Sequence, residues 1–146
     1  MTYSEQLAHR HQLRTGDGVI IAKSNIGWIQ HFGIYLGVNA LGHAMITENY
    51  IGHGVRTIPL DQFLNNSEPT RIERYKGDYW QQQQVVHRAN ERVGRKYNAV
   101  FYNCEHFAND IRYGRVESRQ VRIAIGVVLA ILFLVFVLPK LAKRLR

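Results

Sequence analysis

The order of the apolar patterns along the chain limits the fold more than any other feature of the sequence. Up to residue 76, apolar residues form short runs that are rich in β-branched and aromatic side chains and are bounded by Gly, Asn or Ser, which is typical of strands. After Gly77-Asp78 the apolar spacing becomes helical. A run of strands followed by helices predicts an α+β domain with an antiparallel sheet packed on helices.

These patterns predict five strands and two helices. The strands lie over residues 19–23, 31–37, 43–47, 55–58 and 70–75, with a loop at 65–69. The helices run from Trp80 to Val93 and from Cys104 to Tyr113, and each is followed by a Gly that can end it. Residues 1–14 are predicted to form a polar lead-in, and one folded domain is expected over residues 15–120.

A segment of 16 uncharged residues, Ile123 to Leu138, follows the predicted domain. As a helix it would measure roughly 24 Å, and extension to Ala142, with Lys140 reaching the head groups, would bring it to the ~30 Å of a bilayer core. The segment is apolar on all faces, so a domain of this size could hardly bury it. We therefore expect a transmembrane anchor over residues 121–142 and a basic tail at 143–146, with an interfacial or hairpin insertion as the alternative.

The net charge of +8 is concentrated around this apolar segment. Five of the 19 Lys and Arg residues flank it, which leaves 14 against 11 Asp and Glu elsewhere. Such clustering is typical of contact with anionic lipid head groups, and no nucleic-acid-binding signature accompanies it. We therefore expect a single-pass membrane protein with its folded domain in the cytosol and no nucleic-acid partner. The sequence leaves the oligomeric state open.

Three reactive side chains begin predicted elements. His31 and His43 begin consecutive strands, which antiparallel pairing could set side by side or diagonally. Cys104 is the single cysteine and follows Asn103, a good helix N-cap residue, so its sulfur would lie where N–H groups and the helix dipole favour a thiolate. A thiolate beside an imidazole suits acyl transfer through a thioester, with free N–H groups of the same helix start as an oxyanion hole. The alternative is that the same three residues bind zinc; acyl transfer by the thiol requires no cofactor and no metal.

Two strings around these residues resemble the lecithin:retinol acyltransferase family, which includes Ras-suppressor-like phospholipase/acyltransferases and belongs to the NlpC/P60 papain-like group. The strings are His31-Phe32-Gly33-Ile34-Tyr35-Leu36-Gly37 with His43, and Asn103-Cys104-Glu105-His106-Phe107 with Arg112-Tyr113-Gly114. The resemblance covers about residues 15–115 and implies a permuted papain-like fold. It also implies that His31 is the general base, that His43 orients the base, that Cys104 is the nucleophile, and that a membrane segment follows. Asn103 is a candidate supporting residue.

The resemblance implies cleavage of an acyl ester of a glycerophospholipid and transfer of the acyl chain to water or to an alcohol or amine. The extra segment associated with retinol handling is not recognisable between His43 and Cys104, so retinol specificity is not expected. Two other functions stay open: a cysteine peptidase or amidase of the NlpC/P60 type, and a membrane-anchored interaction module without turnover. The polar first residues lack a secretory signal, which argues against the peptidase.

Overall fold

A computed structural model describes residues 1–23, 30–137 and 140. It has the predicted α+β class, built on one antiparallel sheet of five strands in the order β4-β3-β2-β1-β5. The strands are β1 Gly18–Ala22, β2 Gln30–Val38, β3 Ala44–Tyr50, β4 Gly54–Pro59 and β5 Arg71–Glu73. The helices are α1 Tyr3–Arg10, α2 Leu60–Leu64, α3 Tyr79–Arg92, α4 Cys104–Tyr113 and α5 Arg119–Leu132, and a π-helical segment, Phe133–Val137, follows α5.

The sheet separates two hydrophobic clusters because successive side chains of a strand point to opposite faces. In β1, Val19 and Ile21 belong to one cluster, together with residues of α1 and α2. Ile20, between them, belongs to the other cluster, with residues of α3 and α4. In the sequence, β1 was recognisable as a short run of β-branched residues. β2 is the central strand, so residues at its first positions can contact elements from both layers.

Two helices were not predicted because each carries too few apolar residues to show a helical period. α1 lies within the predicted polar lead-in, yet Leu7 and Ala8 are buried in the core. The Thr2 side chain accepts a hydrogen bond from the Glu5 N–H and caps this helix. α2 has only five residues, of which Leu60, Phe63 and Leu64 are buried. Together these helices cover the face of the sheet that the two predicted helices leave open.

The predicted transmembrane anchor is wrong for the described residues. Its apolar residues from Ile123 onward are exposed, but the α-helix ends at Leu132 after 14 residues and gives way to the π-helical segment. Fourteen residues rise only about 21 Å. Within the described chain, no helix combines the length and the apolar character that a membrane span requires. The single-pass membrane localisation inferred from the anchor is corrected with it. Residues 138, 139 and 141–146, which include the basic tail, lie outside the described residues.

Candidate active site

Cys104 begins α4, at the position that the sequence predicts. The Asn103 side chain accepts hydrogen bonds from the backbone N–H groups of Glu105 and His106, both at 3.0 Å. In return, the Asn103 N–H donates to Nδ1 of His106, which completes a capping box. At the other end, Gly114 adopts the left-handed conformation that closes the helix. The local sequence thus sets the first residue of α4 without help from distant contacts.

The Cys104 thiol lies against the first residues of β2. Its Sγ is 3.9 Å from the carbonyl oxygen of Gln30, the residue before His31. Burial raises the pKa of the thiol, and the Glu105 charge acts in the same direction. A backbone hydrogen bond from Phe32, a second from the N–H of Cys104 itself and the Lys23 charge oppose this rise without cancelling it. The sulfur is therefore protonated at neutral pH, and a base must remove the proton before the thiol can react.

His31 lies at the start of β2 and is held from three sides. Its Nε2 is 2.5 Å from Oε2 of Glu48, and both side chains are nearly inaccessible to solvent. The imidazole stacks on Phe63 of α2 and meets the edge of Tyr50, with ring centroids 5.4 Å apart in both pairs. These contacts restrict the orientation of the ring and engage Nε2.

Glu48, on β3, is a buried carboxylate that sequence reasoning missed. Its Oε1 accepts hydrogen bonds from Nε and Nη2 of Arg56 at 2.7 and 2.6 Å. Burial acts to raise the pKa of Glu48, but the hydrogen bonds and charges of His31 and Arg56 outweigh it and lower the pKa below its usual range. A signal was present in the sequence. Ala44, Ile46 and Glu48 lie on the same face of a strand. A carboxylate on a face that is otherwise buried and apolar needs a hydrogen-bonding or charged partner.

The structure does not bring His43 to His31. His43 lies in the β2–β3 turn, where its N–H donates to Oδ1 of Asn39 and its carbonyl oxygen accepts from the Asn39 N–H. The next residue, Ala44, pairs with Val38. Val38 is seven residues beyond His31 on the same strand, which corresponds to about 23 Å. The role assigned to His43 stays a prediction, and it would require a different pairing of these strands.

Cys104 and His31 lie at the same end of β2 without a direct hydrogen bond between thiol and imidazole among the described contacts. The sulfur contacts the backbone on both sides of His31, at Gln30 and Phe32. Nε2 of His31 faces Glu48. The ring stacks on α2, on the face of the sheet opposite the cluster against which Cys104 packs. In active sites, the hydrogen bond between a nucleophile and its base is often long until the substrate binds.

The remaining candidates have structural partners. Asn103 caps α4, and Glu105 accepts a hydrogen bond from Ser118 at 2.5 Å. His106 is buried, which lowers its pKa, and its Nδ1 belongs to the capping box. The described residues contain no cluster of three His, Cys, Asp or Glu side chains with metal-binding geometry, so the zinc alternative has no assembled site there.

Comparison with known proteins decides the family. The model of the lecithin retinol acyltransferase family matches residues 11–117, which include His31, Glu48 and Cys104. The chain belongs to this family. The match begins within the segment predicted as a polar lead-in and ends just before α5, so it spans the sheet and the helices α2, α3 and α4.

Curated members of the family are similar to this chain over different lengths. Human phospholipase A and acyltransferase 4 is 28% identical over 140 residues, which cover 81% of this chain and 84% of the relative. Phospholipase A and acyltransferase 3, from human and from Pongo abelii, is 48% identical over 40 residues, about a quarter of each chain. No solved structure matches the chain.

Proposed function

We propose that this protein is a thiol-dependent phospholipase A and acyltransferase, with Cys104 as the nucleophile and His31 as the general base. The observation that carries the proposal is the placement of Cys104 within a family match that covers the whole sheet, at the capped start of α4 and against the backbone that flanks His31. A relative similar over most of both chains is named for both activities.

The first half-reaction transfers the acyl group to the thiol. The His31 imidazole accepts the thiol proton, and the thiolate attacks the carbonyl carbon of a glycerophospholipid ester. The tetrahedral intermediate collapses, the C–O bond to glycerol breaks, and the leaving oxygen takes the proton from the imidazolium. The products are a lysophospholipid and a Cys104 thioester.

The second half-reaction releases the acyl group. Water, an alcohol or an amine attacks the thioester carbonyl while His31 accepts its proton. The C–S bond then breaks, and the thiolate recovers a proton from the imidazolium. The products are a fatty acid when water attacks, or an acylated acceptor when an alcohol or amine attacks.

The sequence predicts that free N–H groups at the start of α4 stabilise the oxyanion, but two of these groups are already hydrogen-bonded. The Asn103 side chain already accepts from the N–H groups of Glu105 and His106. Those two donors are therefore committed to the cap, and the positive end of the α4 dipole remains to stabilise developing negative charge near Cys104.

Exposed apolar side chains in the turn that precedes Cys104 favour an acyl substrate over a polar peptide. Val100 and Phe101 are 52% and 75% exposed and lie four and three residues before Cys104, respectively. Oδ1 of Asn98 accepts from both of their N–H groups, which holds the turn that presents them. The Asn103 amide also donates to the carbonyl oxygen of Ala99 and joins this turn to the helix cap. An apolar surface at this position would bury part of a fatty acyl chain.

Trapping of the acyl-enzyme tests the proposal. The protein is incubated with phosphatidylcholine carrying labelled acyl chains, quenched in acid, digested and analysed by mass spectrometry. We expect the acyl mass on the peptide containing Cys104, together with a lysophospholipid product. Cys104→Ser is the matched control because it keeps the size of the side chain and leaves no thiol. Absence of the adduct in the wild type, or undiminished lipid cleavage by Cys104→Ser, would overturn the proposal.

A further inference from the structure

We propose that the cavity at the C-terminal end of α4 binds a phosphate group, at a site separate from the thiol. The cavity measures about 420 Å³ and lies between α3, the last turn of α4 and the segment that follows α4. Three arginines line it: Arg88, Arg112 and Arg115. Cys104 is at the opposite end of the same helix, roughly 12 Å from Arg112 along the helix axis.

Arg112 brings a buried donor without a partner to this cavity. Its side chain is 5% exposed, and its Nη1 and Nη2 donate to Oε2 and to the carbonyl oxygen of Glu73, at 2.9 and 3.2 Å. Glu73 is shared with Arg71, 2.7 Å away, so a single carboxylate faces two guanidinium groups. The Nε of Arg112 is also buried, yet it has no hydrogen-bond partner among the described residues. An unpaired buried donor on a charged group is costly, and an anion in the cavity would supply the missing acceptor.

Arg88, on α3, is held at the cavity by partners that do not neutralise it. Its Nε and Nη2 donate to the carbonyl oxygens of Ile111 and Arg112 at 2.8 and 3.0 Å. Its Nη1 has a long contact, 3.5 Å, with Oε1 of Gln84. All three of these partners are uncharged. The donation to the last carbonyl groups of α4 also offsets the negative end of the helix dipole, which would otherwise repel an anion.

The segment after α4 adds a further unbalanced positive charge. Arg115 is exposed there, and no ion pair within the described residues includes it. Glu117 also lines the cavity, but its carboxylate lies 3.8 Å from Nη1 of Arg122, which offsets its charge. The cavity therefore carries an excess of positive charge, and such an excess favours an anionic ligand.

A phosphate group fits these donors better than a carboxylate does. The unpaired or weakly engaged donors are Nε of Arg112, Nη1 of Arg88 and the guanidinium of Arg115, which come from α4, from α3 and from the segment after α4. Phosphate carries oxygens in several directions, whereas the oxygens of a carboxylate lie in one plane. Arginine N–H groups match phosphate oxygens in geometry and form charge-assisted hydrogen bonds with them. The ligand class is therefore a phosphate or a phosphate monoester.

Calorimetric titration of the full chain with inorganic phosphate tests the site. At pH 7 and constant ionic strength, we expect saturable binding of a single phosphate. Arg115→Gln should weaken this binding roughly fivefold or more, because a charge-assisted hydrogen bond is lost. Arg10→Gln is the matched control, since it removes the same charge from an exposed arginine of α1. Absence of saturable binding by the wild type, or equal weakening by both variants, would overturn the proposal.

Nuclear magnetic resonance of the same protein identifies the donors directly. In ¹⁵N-labelled protein, the Nε–H signal of Arg112 should move downfield as phosphate is added, because an unpaired N–H gains an acceptor. The Nε–H signal of Arg92, which is hydrogen-bonded to Asp110 at 2.9 Å, should stay in place and serves as the internal control. Saturable phosphate binding that leaves the Arg112 signal unchanged would place the ligand elsewhere and refute the site.

Sedimentation with lipid vesicles distinguishes a lipid head group from a soluble phosphate. Cys104→Ser protein is used so that the lipid is not consumed, and phosphatidylcholine vesicles are compared with vesicles that also contain phosphatidic acid, whose head group is a phosphate monoester. Sedimentation that requires phosphatidic acid, is displaced by inorganic phosphate and is lost with Arg115→Gln but not with Arg10→Gln identifies a lipid ligand. Calorimetric binding without such sedimentation identifies a soluble phosphate ligand.

The site is tested independently of the proposed function. Phosphate binding without phospholipid cleavage would leave the site standing and remove the proposed function, and the reverse result would remove only the site. Urea denaturation of each variant verifies that Arg115→Gln and Arg10→Gln fold as the wild type does.

Discussion

The sulfur of Cys104 lies 3.9 Å from the carbonyl oxygen of Gln30, so the first turn of α4 is packed against the first residues of the central strand. Packing of the thiol against this backbone accounts for its burial, and burial raises its pKa. The same contact places the sulfur next to the residue that carries the predicted base. The thiol is thus protonated at neutral pH, and its sulfur lies beside the backbone next to the residue proposed as its base.

Thiol alkylation should depend on His31 in the neutral range. A thiol with a raised pKa forms little thiolate until the pH exceeds the ordinary value of about 8.5. The imidazole is expected to supply the missing base below that pH. His31→Asn should therefore slow iodoacetamide labelling at pH 7 by roughly tenfold or more and approach the wild-type rate above pH 10. Equal rates at pH 7 would show that His31 does not activate Cys104.

Replacement of Phe101 by serine should change the response to acyl chain length. Phe101 is 75% exposed and close in sequence to Cys104, so we expect its ring to cover part of the acyl chain. Burial of a Phe side chain stabilises by about 1.5–3 kcal/mol, of which only part would be realised here. With p-nitrophenyl esters of increasing length, Phe101→Ser should lose several-fold in kcat/KM for long chains and little for acetate. A uniform loss across chain lengths would contradict an acyl-binding role.

Gly33→Ala should destabilise the sheet and disturb the packing of His31. A Cβ at Gly33 would lie 2.6 Å from Cδ1 of Ile46 and 2.8 Å from the Phe63 ring, which stacks on His31. Such overpacking costs about 1–3 kcal/mol in the free energy of unfolding. Gly126→Ala is the control because nothing lies within 4 Å of its added Cβ. Urea denaturation should give a lower midpoint for Gly33→Ala alone, and a shared shift would refute the steric explanation.

Asp110 should make stability depend on pH in the acid range. Burial opposes its charge, but hydrogen bonds from Arg92 and Tyr102 and the charges of Arg92 and Arg95 outweigh burial and lower the pKa of Asp110. A lowered folded-state pKa contributes stability above the unfolded-state value, and this contribution is lost as the pH falls through the folded-state value. The free energy of unfolding should fall less between pH 5 and pH 3 in Asp110→Asn than in the wild type. Parallel profiles by urea denaturation would contradict this prediction.

The strands and α4 could be predicted because their signals are local. A continuous run of β-branched residues, Val19-Ile20-Ile21, identifies β1, and Asn103 with Gly114 sets both ends of α4. α1 was not predicted because it contributes only Leu7 and Ala8 to the hydrophobic core, and two apolar residues do not form a helical pattern. Their burial depends on contacts with residues distant in the sequence. The apolar segment after residue 122 suggested a membrane span from composition, whereas the described helix ends at Leu132.

By itself, the sequence determined the α+β class, the family strings and the position of Cys104 at the start of a helix, because each depends on neighbours within a few residues. Only the tertiary structure decided which side chain meets His31. The pairing of β2 with β3 depends on a turn and a register shift, and shifting that register changes which residues of β3 lie near His31. The contact with Glu48, and the distance that separates His43, follow from that register and not from any local pattern.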